Sequence, residues 1–184
     1  MESLAGYFLI ATSNMPDPRF ARRVIYMCSH DEEDGAMGFI VNQPVPEITL
    51  AEVYLSMKLP APEFELPHVF MGGPVEMEAA FFLHSSEYNS SGFMDVNNSI
   101  RLSRDPRILN DIAENKGPKE YLFLLGYAGW GPGQLETELM HKGWLTLPAE
   151  SEDIFNIPPE RMWERITAKY GIDITLFGDV TGSA

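Results

Sequence analysis

Three side chains of this 184-residue chain have types and positions suited to nucleophilic chemistry: Cys28, His30 and His84. Cys28 and His30 stand two apart in a segment with strand character, which predicts both side chains on one face. His84 ends another short apolar run and could join them, since a thiol beside an imidazole is the minimum for an activated nucleophile. The competing reading is plainer: a lone cysteine usually packs as a small core residue, and a strand-end histidine acts as a polar cap. His30 also leads the acidic run Asp31, Glu32, Glu33, Asp34, which offers metal ligands. Consecutive acids in a turn seldom converge on one ion, so a solvated turn is expected. The chain has no HExxH, CxxC, EF-hand loop or GxSxG elbow. These patterns assign no catalytic residue, no cofactor and no metal.

The elements that must position any site are most legible between Tyr121 and Ala149. Tyr121 to Leu125 is an unbroken apolar run, the mark of a strand buried on both faces. Gly126, Gly129, Gly131 and Gly133 then suggest a sharp loop, stiffened by Pro132, with Trp130 as a lid on the core. A helix is predicted from about Gln134 to Lys142, with Leu135 and Leu139 on one face and Glu136 and Lys142 placed to suit its dipole. Gly143 stands where a left-handed cap belongs, and Trp144 to Leu147 returns as a strand. A glycine loop entering a helix can cradle an anion on backbone N–H groups. The spacing here matches neither GxGxxG nor GxxxxGK[ST], which favours a tight turn over an anion pocket.

Composition bounds the function classes. The length suits a single domain over 1–184, with 45% hydrophobic and 22% charged residues. No apolar run approaches the roughly 20 residues of a membrane span, and the start of the chain lacks the basic segment of a secretory signal. One cysteine provides no intramolecular disulfide, so the cytoplasm is the expected compartment. A net charge of −14 opposes anionic membranes and nucleic-acid backbones. Arg19, Arg22 and Arg23, and again Arg101, Arg104 and Arg107, form local basic clusters that are expected to pair with the abundant carboxylates. Direct nucleic-acid binding is disfavoured, and the sequence leaves the oligomeric state open.

Along the chain, strands are predicted at Tyr7 to Ala11, Arg23 to His30, Ala36 to Val41, His68 to Met71 and Phe81 to His84. Phe93 to Val96 and Ile100 to Leu102 pair around Asn97-Asn98. Thr49 and Glu52 form a capping box ahead of a helix whose stripe is Leu50, Val53, Tyr54 and Met57. Pro106 opens a helix through about Lys116, packing Ile108, Leu109 and Ile112. Pro159 opens the last one, with Trp163, Ile166 and Tyr170 inward, before an edge strand at Ile172 to Phe177 and a frayed end from Gly178 to Ala184. Strands that follow one another without helices argue for a mixed sheet, not a doubly wound parallel one.

Taken together, these segments resemble the YqgE/AlgH family of bacterial proteins. The matching pieces are the run Gly6 to Ala11, Asp17-Pro18-Arg19-Phe20, Val24 to His30, Gly35 to Pro44, Gly72-Gly73-Pro74-Val75, Leu125 to Gly131, Gly133 to Glu136, and Trp144-Leu145. They cover nearly the whole chain in order. Met77-Glu78-Ala79, where the family often carries a basic residue, and Pro132, in place of a small residue, depart from the pattern. The resemblance implies an α+β fold: a mixed, strongly curved sheet, bifurcated into a pseudo-barrel, with several packed α-helices. It implies no chemistry, since the family is functionally uncharacterised and some members carry only a transcriptional-regulator label. No convincing helix-turn-helix supports that label here. The leading expectation is a binding or regulatory protein with a protein or small-molecule partner. Its candidate surface is the expected meeting place of Asn42, Pro44, Gly72, Gly73, Gly129, Trp130, Gly131 and Gly133. An enzyme using Cys28, His30 or His84 is the second reading and a DNA-binding regulator the third.

Overall fold

The computed structural model describes residues 1–173. Among these residues nine strands form one mixed sheet: β1 (Tyr7–Ala11), β2 (Val24–Asp31), β3 (Gly35–Ile40), β4 (Val69–Met71), β5 (Val75–Ser85), β6 (Met94–Asp95), β7 (Ile100–Ser103), β8 (Tyr121–Trp130) and β9 (Trp144–Pro148). Five α-helices pack on it: α1 (Leu50–Ser56), α2 (Ile108–Ala113), α3 (Gln134–Met140), α4 (Ser151–Phe155) and α5 (Pro159–Lys169). The strand order is β6-β7-β5-β8-β3-β2-β1-β9, with β4 beside β8 as the parallel pair. The fold is α+β, and the sheet curls and splits as a half-barrel.

The split occurs along β8. Its first half pairs with β4 on one edge and β5 on the other, whereas Ala128, Gly129 and Trp130 pair with β3. Gly126 marks the changeover, at φ +72°. A Cβ there would meet the Gly73 carbonyl oxygen at 2.4 Å, and a Cβ on Gly73 would meet the Tyr127 carbonyl carbon at 2.1 Å. Glycine is required at these positions because two backbones touch. The predicted loop from Gly126 to Gly133 is therefore shorter than expected. β8 runs through Gly126 and Gly129 to Trp130, and only Gly131 to Gly133 make the turn.

Apolar side chains fill three clusters. Phe8, Tyr26, Phe39 and Phe81 form the first with α5, Ile25, Met27, Trp130, Leu135 and Trp144 form the second, and α1 and α2 cover Phe82 and Phe123 in the third. The capping box ahead of α1 is present, with Thr49 Oγ1 accepting from Glu52 N–H and Glu52 accepting from Thr49 N–H. Three helical expectations need correction. The helix predicted from Pro106 starts at Ile108, because Asp105 accepts from the Arg107 amide and holds a turn first. α4 lies in a segment for which no element was expected. The left-handed residue after α3 is Lys142 at φ 59°, not Gly143. The predicted final strand beyond Asp173 and the predicted frayed end lie outside the described residues.

Candidate functional site

The best-formed cavity lies over the second cluster and has a volume of about 600 Å³. β8 delivers Trp130 to its wall, β9 delivers Trp144, and the 3-10 turn Pro18–Phe20 delivers Phe20. Buried indoles need a partner for their N–H groups, and α3 supplies one. Glu138 Oε2 accepts from Trp130 Nε1 at 2.9 Å and from Trp144 Nε1 at 2.8 Å. Glu138 Oε1 accepts from Gln134 Nε2 at 3.1 Å, while Gln134 Oε1 accepts from the Gly131 amide at 3.0 Å. A single carboxylate thus fixes both rings and, through Gln134, the turn ahead of α3.

The rings stand at steep angles. Trp130 and Trp144 have centroids 6.3 Å apart and an interplanar angle of 76°; Phe20 and Trp144 lie at 5.6 Å and 66°. Arg19 and Asp17 also line the cavity, joined by a bidentate pair with a 2.7 Å contact. The hydrogen bond from Arg19 holds the Asp17 carboxyl below its usual range. His141 completes the polar lining and bonds the Thr137 carbonyl through Nδ1 at 2.8 Å. A carbonyl only accepts, so Nδ1 carries the proton and a neutral ring keeps Nε2 as an acceptor.

The residues of the candidate surface divide among different environments. Gly129 and Trp130 line the cavity, and Pro74 and Val75, just after Gly72-Gly73, join them. Gly72 and Gly73 themselves pack against the β8 backbone. Gly131 N–H is taken by Gln134, and Gly133 at φ +72° serves as the N-cap of α3. Asn42 is buried away from them, accepting from Val24 N–H and donating to the Arg22 carbonyl. Pro44 bridges Phe70. Phe20, Glu138, His141 and Trp144 were not among the expected site residues. Their signal was available: two tryptophans near one short helix need an acceptor, and Glu138 faces both.

Cys28, His30 and His84 do not converge. A bulge between Met27 and Ser29 breaks the alternation of β2. Cys28 packs in the first cluster with Val24 and Tyr26, whereas His30 lies opposite Ala36 of the second and bonds Glu136 at 2.6 Å. The expectation of one shared face fails because the bulge adds a residue. Full burial pushes the Cys28 thiol up, away from the reactive thiolate. His30 Nδ1 accepts from Leu4 N–H at 3.0 Å, so its proton is on Nε2 and donated to Glu136. That bond holds the Glu136 carboxyl below its usual range.

His84 sits in another polar cluster. Its Nδ1 donates to the Ser85 carbonyl at 2.9 Å, and Nε2 accepts from Ser103 Oγ at 2.7 Å, with Ser90 Oγ 2.5 Å further on. A serine on an oriented imidazole is the pairing nucleophilic catalysis uses. Both residues are almost fully buried, however, and neither lines a described cavity.

A second, more open cleft of about 910 Å³ lies across Val75, Gly129 and Trp130 from the first. Asp31, Asp34 and Glu76 line it together with Arg104, whose guanidinium lies 4.7 Å from the Phe81 ring centroid. No group of three or more metal-ligating side chains is found among the described residues. Of the arginines in the two basic clusters, Arg19, Arg22, Arg101 and Arg107 form ion pairs with Asp17, Glu164, Asp95 and Asp105.

A family model described as AlgH-like matches residues 8–175. The chain belongs to the AlgH-like family. Among its AlgH-like relatives, a UPF0301 protein of Desulfotalea psychrophila is 42% identical, over 99% of this chain and 95% of that one. A second, from Thioalkalivibrio sulfidiphilus, is 40% identical over 99% and 97%. The solution structure of the AlgH protein from Pseudomonas aeruginosa superposes with a TM-score of 0.81 at 37% identity, covering 98% of this chain and 96% of that one. A Corynebacterium diphtheriae protein with a TM-score of 0.74 and 19% identity, over 94% and 90%, shares the fold. Among the described residues, no helix is long and apolar enough to cross a membrane.

Proposed function

We propose that this AlgH-like protein is a non-catalytic binding or regulatory protein that takes a small molecule in the cavity walled by Phe20, Trp130 and Trp144. The observation that carries the reading is the shared Glu138 carboxylate, which satisfies both indole N–H groups beside a cavity of about 600 Å³ that Phe20, Trp130 and Trp144 line. A mainly apolar pocket with a few convergent polar groups is the usual form of a ligand site. The separation of Cys28, His30 and His84 weighs against the enzyme reading. The net charge of −14, with four of the named arginines held by carboxylates, weighs against a DNA-binding regulator. A reducing cytoplasm suits a chain whose one thiol is buried.

The test is a thermal-shift screen of metabolites, nucleotides and flavins read in parallel with tryptophan emission. A ligand at 100 times its dissociation constant adds ~2.7 kcal/mol of stability. A hit in the cavity is expected to raise the melting temperature and to change the emission, because Trp130 and Trp144 form the wall. Both effects should vanish in Phe20→Ala. Hits that stabilise without moving the emission would place the ligand elsewhere, and a screen without hits would turn the search to a protein partner.

A further inference from the structure

The shape and charge of the same cavity narrow the chemistry of its occupant, an inference that rests on the binding reading above. We infer that the cavity takes an organic cation with a compact alkylated ammonium head.

Ring geometry is the first argument. A flat ligand wants its faces between parallel plates. Here Phe20, Trp144 and Trp130 meet at 66° and 76°, so their surfaces form the walls of a corner. A corner fits a rounded head, which would touch the Phe20 ring and the small exposed parts of Trp130 and Trp144, 6% and 4% of those residues, as a partial form of the aromatic cages that hold quaternary ammonium ions.

Charge is the second. Both indole N–H groups donate to one carboxylate oxygen, Glu138 Oε2, at 2.9 and 2.8 Å. A negative charge on the N–H edge pushes π density outward and strengthens the attraction of each ring for a cation. Among the lining groups, Asp17 and Glu138 oppose Arg19, which leaves one negative charge in excess wherever His141 is neutral. The Arg19 charge is offset by Asp17, which chelates its Nε and Nη2. It also lies 5.8 Å from the Phe20 centroid, so a cation already sits against this ring system. The net charge of −14 draws cations to the surface as a whole.

The experiment titrates the full chain with choline, tetramethylammonium and 3,3-dimethylbutan-1-ol, the neutral isostere of choline, following tryptophan emission and melting temperature. Choline should bind roughly tenfold more tightly than the neutral alcohol, the size of a partly desolvated cation–π contribution. Glu138→Gln keeps an oxygen for both indoles and removes the charge, so the preference should shrink severalfold in a protein that still melts cooperatively. If that variant is unfolded, Phe20→Leu, on a ring at the cavity edge, should shrink it instead. Equal affinity for choline and the alcohol would overturn the cation assignment and leave the binding cavity standing. The assignment also falls, and the cavity stands, if neutral or anionic hits from the wider screen move the emission and neither cation does. Failure of every compound in both sets to alter the emission would overturn the cavity reading along with this one.

Discussion

The cavity lined by Trp130 and Trp144 and the cluster around His84 use polar groups to opposite ends. In the first, Glu138 spends its hydrogen-bonding capacity on the edges of two rings, so their apolar surfaces can border an opening. In the second, His84, Ser103 and Ser90 satisfy one another in a chain, and cross-strand neighbours close over them. The serine–imidazole pair at His84 has no room beside it, whereas the first cavity has room and an imidazole, His141, but no serine or cysteine in its lining. Chemistry needs both, and in this chain the space marks the more informative region.

The contrast between the two regions is most open to attack at Trp144. Trp144→Ala removes a wall ring from the second cluster and should lower stability by about 3–5 kcal/mol, measured by urea unfolding. A loss under about 1 kcal/mol would mean that the ring is loosely held and the cavity poorly formed. At His84 a smaller effect is expected, and it should depend on pH. Burial lowers the His84 pKa from its ordinary 6.5, so below that value the unfolded chain takes up a proton that the folded one refuses. The stabilising contribution is present above 6.5 and is lost as pH falls toward the folded pKa. His84→Gln should cost about 1 kcal/mol at neutral pH and flatten the decline of the urea midpoint on acidification. Paired carboxyls such as Glu136 and Asp17 act lower, below their ordinary 4.5 and 3.8. An unchanged decline in the variant would mean that His84 does not set the acid sensitivity. The smallest effect belongs to Gly131→Val. The nearest atom to a Cβ there is Gln134 Oε1 at 3.9 Å, so stability should stay within about 0.5 kcal/mol and ligand-induced emission changes should persist.

Much of the frame was legible in the residues. The capping box of Thr49 and Glu52, the strand at Tyr7 to Ala11 and the helix after Gly133 follow local rules, and the structure has them in place. What escaped was set by long-range contact. Gly126 and Gly129 look like loop residues, yet they let β8 pass close to other backbone and side chains while staying a strand. The bulge that sends His30 away from Cys28 carries no signature in Val24 to Asp31. The extra residues of β5 between Val75 and Ala80, with Glu76 at φ 46°, likewise depend on the partner strand. The site was half legible. Trp130 stood out, but its relation to Phe20, Trp144 and Glu138 arises only when β1, β8 and β9 are brought together around α3.

The pairing of β1 with β9 sets Tyr7 opposite Pro148 and Ala11 opposite Trp144. During synthesis the first strand therefore emerges long before the partner that will cover its outer edge. One side of Phe8, Leu9 and Ile10 can pair early with β2, but the other stays open until the chain has grown past residue 148. Pairings of such separation in sequence are slow to form and leave strand edges exposed in the meantime. The aromatic corner contains Trp144, so it forms late, with only α4 and α5 still to follow among the described elements. A nascent chain stalled before that point would carry Phe20 and Trp130 without the ring that completes their corner.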